Sequence, residues 1–398
     1  MFSGLLKRIQ TKPVRIYYTF SFFREFMFFS GVLVPFFTEW GHLSLTQIQI
    51  LQSWFMLWIF ILEVPTGAIA DYLGRKYSIF IGVLIDIVGV LVYVSTPEFG
   101  VFLLGEFLMA VAMALVSGAD QALLYDTLRQ NGREPESKKV FGRAHSFKLS
   151  GMLIAAPIGS IIAQYLGMTA PMYLSTIPLF LTAICVWLMP EPKNIEHQSE
   201  SKRYLDVVKK GFSFFRQHPT LKIIAMDAVA IASVGYFVIW LYQPTAQSVG
   251  IPIIYFGFIH SLFVLAEILI ASNFAKLEKI FKSSLNYVKF SSFITGAMFV
   301  LVAIWPSKAS VILFTVLAGG FSLTRMEFVS AHMNKLIPSA ERATVLSAIS
   351  MLRRIALVVL NPIVGFMADY SLYLTLGLLG GLTFVVTIFS PIKKEMLD

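Results

Sequence analysis

The chain has 398 residues, of which 57% are hydrophobic and only 14% charged, with a mean hydropathy of +0.73. Soluble domains carry about 25% charged residues, so this composition excludes a soluble globular protein and indicates an all-α polytopic membrane protein. A formal net charge of +9 does not make it a nucleic-acid binder, because the apolar runs leave no soluble domain on which a basic face could form.

Apolar windows long enough to cross about 30 Å of hydrocarbon predict twelve transmembrane helices. They fall near residues 17–38, 47–70, 77–95, 100–125, 142–166, 170–189, 222–246, 253–275, 286–306, 309–332, 343–367 and 371–391. Ahead of them, Met1 to Arg15 carries Lys7, Arg8, Lys12 and Arg15 without a cleavable apolar core, and reads as a retained tail. Basic loop residues stay on the cytoplasmic side. With both termini inside, 26 of the 32 Lys and Arg lie on that side and only Lys308 lies on the other, which fixes the expected orientation.

The long charged loop midway divides the chain into a six-helix half at 1–190, a linker at 191–221 and a second six-helix half at 222–398. Within the linker, Tyr204, Leu205, Val207, Val208, Phe212, Phe214 and Phe215 alternate with Lys209, Lys210 and Arg216. That pattern suits a helix lying in the membrane interface as well as it suits a solvated linker. The lone Cys185 allows no disulfide framework and no cysteine metal site. No metal and no cofactor are expected.

A charge at the bilayer centre costs roughly 2.5 to 3.5 kcal/mol on insertion scales, so each ionisable residue in a span implies a partner, a wet cavity or a function. In chain order the candidates for a substrate or proton pathway are Arg24, Glu25, Asp86, Glu106, Asp227, Glu267, Arg325, Glu327 and Arg353. Arg24 is expected to reach Glu106 as a proton-sensitive pair or a permanent salt bridge. Asp86, with no cationic partner by spacing, is a second candidate proton site. Arg353 or Arg354 is expected to face a cavity or to pair with Asp227, Glu267 or Glu327. Phe20, Phe22, Phe23, Phe26, Phe28 and Phe29 crowd the first span, and Trp54, Trp58, Trp240 and Tyr242 lie in others. Such rings suit amphipathic ligands, although lipid-facing rings are the plainer reading for most of them.

Between the second and third runs lies Gly67-Ala-Ile-Ala-Asp71-Tyr-Leu-Gly74-Arg75-Lys76. Gly67 would allow close helix approach, Asp71 and Arg75 are spaced for an ion pair, and Gly74 permits a tight turn. This Gly-x3-Asp-x2-Gly-Arg-Lys loop resembles the signature loop of the major facilitator superfamily. The preceding Leu62-Glu63-Val64-Pro65-Thr66 and the later Ser117-Gly118-Ala119-Asp120 and Tyr125-Asp126 look like a bacterial branch of drug-efflux carriers.

The resemblance implies two pseudo-symmetric six-helix halves and a monomeric secondary transporter of the bacterial inner membrane. It implies export of small amphipathic compounds by proton antiport and alternating access. It further implies a conformational latch formed by Gly67, Asp71, Gly74, Arg75 and Lys76 with Glu63 and Asp120. Two features depart from that branch. Glu106 stands where many proton antiporters carry an arginine, and Ala156-Pro157-Ile158-Gly159-Ser160 only approximates the fifth-span Gly-Pro pattern. Import or export of an anionic metabolite, or a lipid flippase, therefore remain alternatives. An enzyme is not expected, since no nucleophile–base set occurs and Gly74-Arg75-Lys76 lacks the Walker spacing needed to cradle phosphate.

Overall fold

A computed structural model describes residues 2–192, 213, 215, 217–338 and 341–397, and among these it contains helices and turns but no strand. Eleven helices are long and apolar enough to cross a membrane, or twelve when the bent pair Lys12–Gly31 and Leu33–Trp40 counts as one span. The expected runs are thus found, and large apolar side chains such as Phe180, Trp187, Ile388 and Phe389 lie exposed on them, the outward face that lipid would cover. The proposed interfacial segment falls mostly outside the described residues; of it, Phe215 is buried in a core with Leu221, Ile224 and Ile392.

The chain forms two compact units, Met1–His42 with Trp54–Tyr204 and Leu43–Ser53 with Leu205–Asp398. In the first unit the expected continuous helix at 17–38 is broken. Helix Phe2–Arg24 ends before Glu25, a short 3₁₀ turn covers Phe28–Gly31, and the axis turns by 58° before Leu33–Trp40. Neighbours take over the backbone that the break releases, as a spanning segment requires. The Phe28 N–H donates to Ser175 Oγ at 3.0 Å. The small-residue face of helix Ser137–Leu166 accepts the irregular chain, since a Cβ at Gly151 would strike the Phe22 carbonyl and one at Gly159 the Phe28 carbonyl. Ala155 and Ala156, on the same face, are fully buried.

The fourth span is also interrupted. Helix Phe99–Val116 stops at Ser117, Gly118 takes φ 79°, and Ala119–Gln130 continues. After it, the Glu136 carboxylate hydrogen-bonds Arg133 and holds that guanidinium above its usual pKa.

In the second unit, helix Arg342–Tyr370 contains Pro362, which has no N–H for the Val358 carbonyl one turn earlier. The Ser53 hydroxyl fills that vacancy at 2.9 Å. Further along the same helix, Asp369 accepts from the Leu45 and Thr46 N–H groups at 2.8 and 2.9 Å, capping helix Leu45–Leu73 where its first turn has free donors. Gly365 permits this approach, because a Cβ there would lie 2.8 Å from Thr46 Cα.

Candidate functional site

The break in the first span places charge beside empty space. Arg24 is the last helical residue and Glu25 the first unwound one. Together with Met113 they line two cavities of the first unit. The larger, about 320 Å³, is also lined by Tyr17, Phe20, Asp120, Phe141, His145 and Lys148. The smaller, about 140 Å³, adds Phe29, Phe55, Asp86 and Met109.

Only part of this charge is internally paired. Lys148 Nζ lies 3.1 Å from Glu25 Oε1, so Lys148, which sequence reasoning left outside the pathway, is the partner of Glu25. Its position on the fifth span facing the first is the signal that could have placed it. Arg24 Nη2 donates to Met113 Sδ at 3.7 Å, a weak contact for a guanidinium, and no ion pair to Arg24 occurs among the described residues. It is nevertheless the foremost charge acting on both Asp86 and Asp120. Asp120 Oδ1 accepts from the Gln121 N–H at 2.7 Å, one residue into its helix.

The expected Arg24–Glu106 pair does not form. Gly105 leaves room for the Tyr93 ring, and the Tyr93 hydroxyl donates to Glu106. Glu106 is 5% exposed and lies beside the aromatic cluster of Phe36, Phe37, Tyr93 and Phe102, away from the lining of either cavity. The rings of Phe22, Phe26 and Phe28 pack on one another, and Phe20 is buried. Phe22, Phe26 and Phe28 are therefore packing residues, whereas Phe20 and Phe29 also line the cavities.

The loop at Gly67–Lys76 also differs in its partners. Gly74 has φ 98°, the turn its sequence requires. Arg75 forms its ion pair with Asp126, so Asp126 takes the place expected of Asp71 and of Asp120, and Asp120 lines the larger cavity instead. Glu191 accepts from the Arg75 and Lys76 N–H groups at 3.0 and 2.8 Å, and Lys76 lies 5.2 Å from the Trp187 ring centroid. The C-terminal end of the sixth span thus caps the start of the third, an arrangement that spacing alone does not reveal. A Cβ at Gly67 would meet nothing within 4 Å, so close packing is not what its size serves in this structure. Asp71 is half-buried, and Glu63 lies on the same helix more than two turns earlier.

In the second unit, Arg325 is 1% exposed and both of its terminal nitrogens are engaged, while its Nε is buried without a hydrogen-bond partner among the described residues. It pairs with Asp227, donates to the Val288 carbonyl, and reaches Ser291 Oγ at 2.9 Å. Asp227 in turn accepts from Ser390 Oγ at 2.6 Å. The cation beside Asp227 is Arg325, then, and not Arg353. Glu327 acts electrostatically on Glu267, making these two acids neighbours on spans ten and eight. Arg353 is half-buried on the eleventh span, with the Tyr236 hydroxyl acting on it. Neither described cavity includes these residues.

The Major Facilitator Superfamily sequence model matches residues 16–360. An uncharacterized transporter of Buchnera aphidicola subsp. Schizaphis graminum (strain Sg) is 27% identical over 135 residues, 34% of this chain and 33% of that protein. The D-xylose-proton symporter-like 2 protein of Arabidopsis thaliana is 23% identical over 38% of this chain and 30% of its own length. The chain thus spans about a third of the length of the curated relatives it matches. Among solved structures, the nucleoside transporter NupG superposes with TM-score 0.79 at 14% identity, covering 95% of this chain and 98% of that one. A bacterial homolog of the human lysosomal transporter Spinster gives TM-score 0.69 at 15% identity, covering 98% and 96%. Identities this low carry the fold alone.

Proposed function

Because the chain belongs to the Major Facilitator Superfamily, we propose that this membrane transporter exports small amphipathic molecules in exchange for protons, by alternating access. The observation that carries the reading is the charged lining of the first unit. Three acids, Glu25, Asp86 and Asp120, face two cations, Arg24 and Lys148, and only Glu25 and Lys148 pair directly. An acid held beside space, without a fixed cation of its own, is free to exchange a proton as the cavity fills and empties. Tyr17, Phe20 and Phe141 give the larger cavity an apolar wall for the rest of the substrate.

The outward direction rests on the resemblance of Leu62–Thr66, Ser117–Asp120 and Tyr125–Asp126, taken with the Gly67–Lys76 loop, to efflux carriers. We place the larger cavity toward the side bearing the basic loops, where a substrate would enter from the cell. A second reading, carriage of an anionic metabolite, draws on Arg24, whose guanidinium is not committed to a carboxylate.

The test is internal pH in proteoliposomes as candidate compounds are added, comparing wild type with Asp86→Asn and Asp120→Asn. Substrate-driven proton movement lost in either variant supports exchange. Substrate flux with no proton movement in the wild type would overturn it.

A further inference from the structure

We propose that Glu278, Ser284 and His332 form a proton-operated clasp on the loop between the eighth and ninth spans, closed while the three groups hold one extra proton and released as the pH rises. The clasp lies outside both cavities of the first unit and does not depend on what the carrier transports.

The loop is built to bring these groups together. Helix Phe274–Phe281 follows the eighth span, and Phe274, Leu277 and Phe281 pack on a core that holds Tyr287, Phe328 and Met333. Lys282 then takes φ 60°, so the chain reverses and helix Ser284–Ile304 begins two residues later. The reversal sets Ser284 beside Glu278, and its hydroxyl donates to Glu278 Oε1. From helix Gly319–Leu336, His332 completes the set. Its Nε2 lies 3.2 Å from Ser284 Oγ and 4.0 Å from Glu278 Oε1, while Nδ1 lies 3.1 Å from the Phe328 carbonyl oxygen. Ser284 and His332 are both buried, so a lost partner is not readily replaced by water.

Counting hydrogens gives the proton. A carbonyl oxygen only accepts, so Nδ1 carries a hydrogen. Ser284 has a single hydroxyl hydrogen, and it is given to Glu278. Ser284 Oγ therefore offers Nε2 only lone pairs, and Nε2 needs a hydrogen of its own. The imidazole that fits is the doubly protonated cation beside an ionised carboxylate. Moving that proton to Glu278 and reversing the Ser284 hydroxyl leaves the total unchanged. Once the proton is gone, Ser284 can satisfy Glu278 or Nε2 but not both. It turns to the buried Nε2, and Glu278, whose side chain is 43% exposed, goes to water. Helix Phe274–Phe281 then loses its polar tie.

Because the closed state binds the extra proton, its stability falls as the pH rises, over the range of about pH 5 to 8 in which imidazoles change charge. The other charged and titratable groups on the elements around His332 are Lys335 on its own helix, Lys276 and Lys279 beside Glu278, and Lys282 and Tyr287 at the turn into the ninth span. Arg342, from the helix it begins, donates to the Asn334 carbonyl at 3.0 Å. Glu278 is the acid within 4.0 Å of His332 among the described residues, so the added charge has a partner. On the side that the basic residues assign to the cytoplasm, the clasp fastens this loop when the cell interior acidifies.

The test is a nitroxide at Ala275→Cys, exposed on helix Phe274–Phe281, in purified full-length Cys185→Ser protein in detergent. Its spectrum is followed from about pH 5 to about pH 8.5, with a second label at Ser95→Cys, exposed beyond helix Arg75–Tyr93, as reference. The mobile fraction at position 275 is expected to rise about twofold or more with a one-proton slope, and the reference to stay level. Glu278→Gln separates the hydrogen count from simple charge pairing. Its amide donates to Ser284 Oγ, whose hydroxyl turns to a neutral Nε2, so the label should stay immobile throughout. Ser284→Ala removes the link, and the label should stay mobile throughout. No pH change in the wild type, or an equal change at both labels, overturns the clasp. In Glu278→Gln, a retained transition or a mobile label at every pH overturns the hydrogen count. A transition retained in Ser284→Ala overturns the relay through the hydroxyl.

Discussion

Arg325 and Gly159 show how single residues hold this protein together for opposite reasons. Arg325 is an ion buried among Asp227, Ser291 and the Val288 carbonyl. Such a pair adds little over apolar packing, but halving it strands a charge, at about 3–5 kcal/mol. Arg325→Met should accordingly lower thermal stability in detergent by a large margin. The double variant Arg325→Met with Asp227→Leu should recover most of it; a single variant that melts like wild type would show that Asp227 is not left uncompensated. Gly159 acts through what it lacks, because a methyl group there would enter the Phe28 carbonyl. Gly159→Ala should fail to give monodisperse protein, whereas Gly381→Ala, where nothing lies within 4 Å, should behave like wild type in size-exclusion chromatography.

Two helix starts among the described residues are capped by carboxylates from distant sequence. Glu191 holds the start of helix Arg75–Tyr93, and Asp369 holds the start of helix Leu45–Leu73. Loss of a cap costs typically about 1 kcal/mol. Glu191→Ala and Asp369→Ala should each speed amide hydrogen exchange in the first turn of the helix concerned and leave the other helix unchanged; uniform acceleration at both would argue for global loosening. These caps were not legible in the sequence, for they join residues more than 100 positions apart. The apolar runs were legible, because hydrocarbon thickness dictates their length. The break at Glu25 to Met27 was not: six phenylalanines read as an uninterrupted run, and the partners that make unwinding tolerable, Ser175 and Gly159, belong to other helices. Of the ionisable candidates, Arg24, Glu25 and Asp86 line a cavity in the structure. Glu106 was not separable from them by spacing, since its partner Tyr93 comes from the third span.

At the scale of the whole molecule, the distribution of Lys and Arg yields an expectation that packing does not address. Lys308 should face the outside and the C-terminal Lys394 the cytoplasm. In a Cys185→Ser background, Lys308→Cys should react with a membrane-impermeant maleimide in intact cells, and Lys394→Cys only after the cells are opened. The reverse pattern would invert the topology and, with it, the assigned direction of transport.

The interrupted first span has one more consequence. A continuous helix is stiff to torsion, so a turn imposed at one end appears at the other. Here the stretch from Glu25 to Met27 leaves the helix, with the Phe26 and Met27 N–H groups turning to the Phe23 and Glu25 carbonyls, and the axis bends by 58° between Lys12–Gly31 and Leu33–Trp40. The piece that carries Tyr17 and Arg24 is thereby freed from the piece that carries Phe29. The two chambers beside this span can change shape in sequence, like the compartments of an airlock, with one wall common to both.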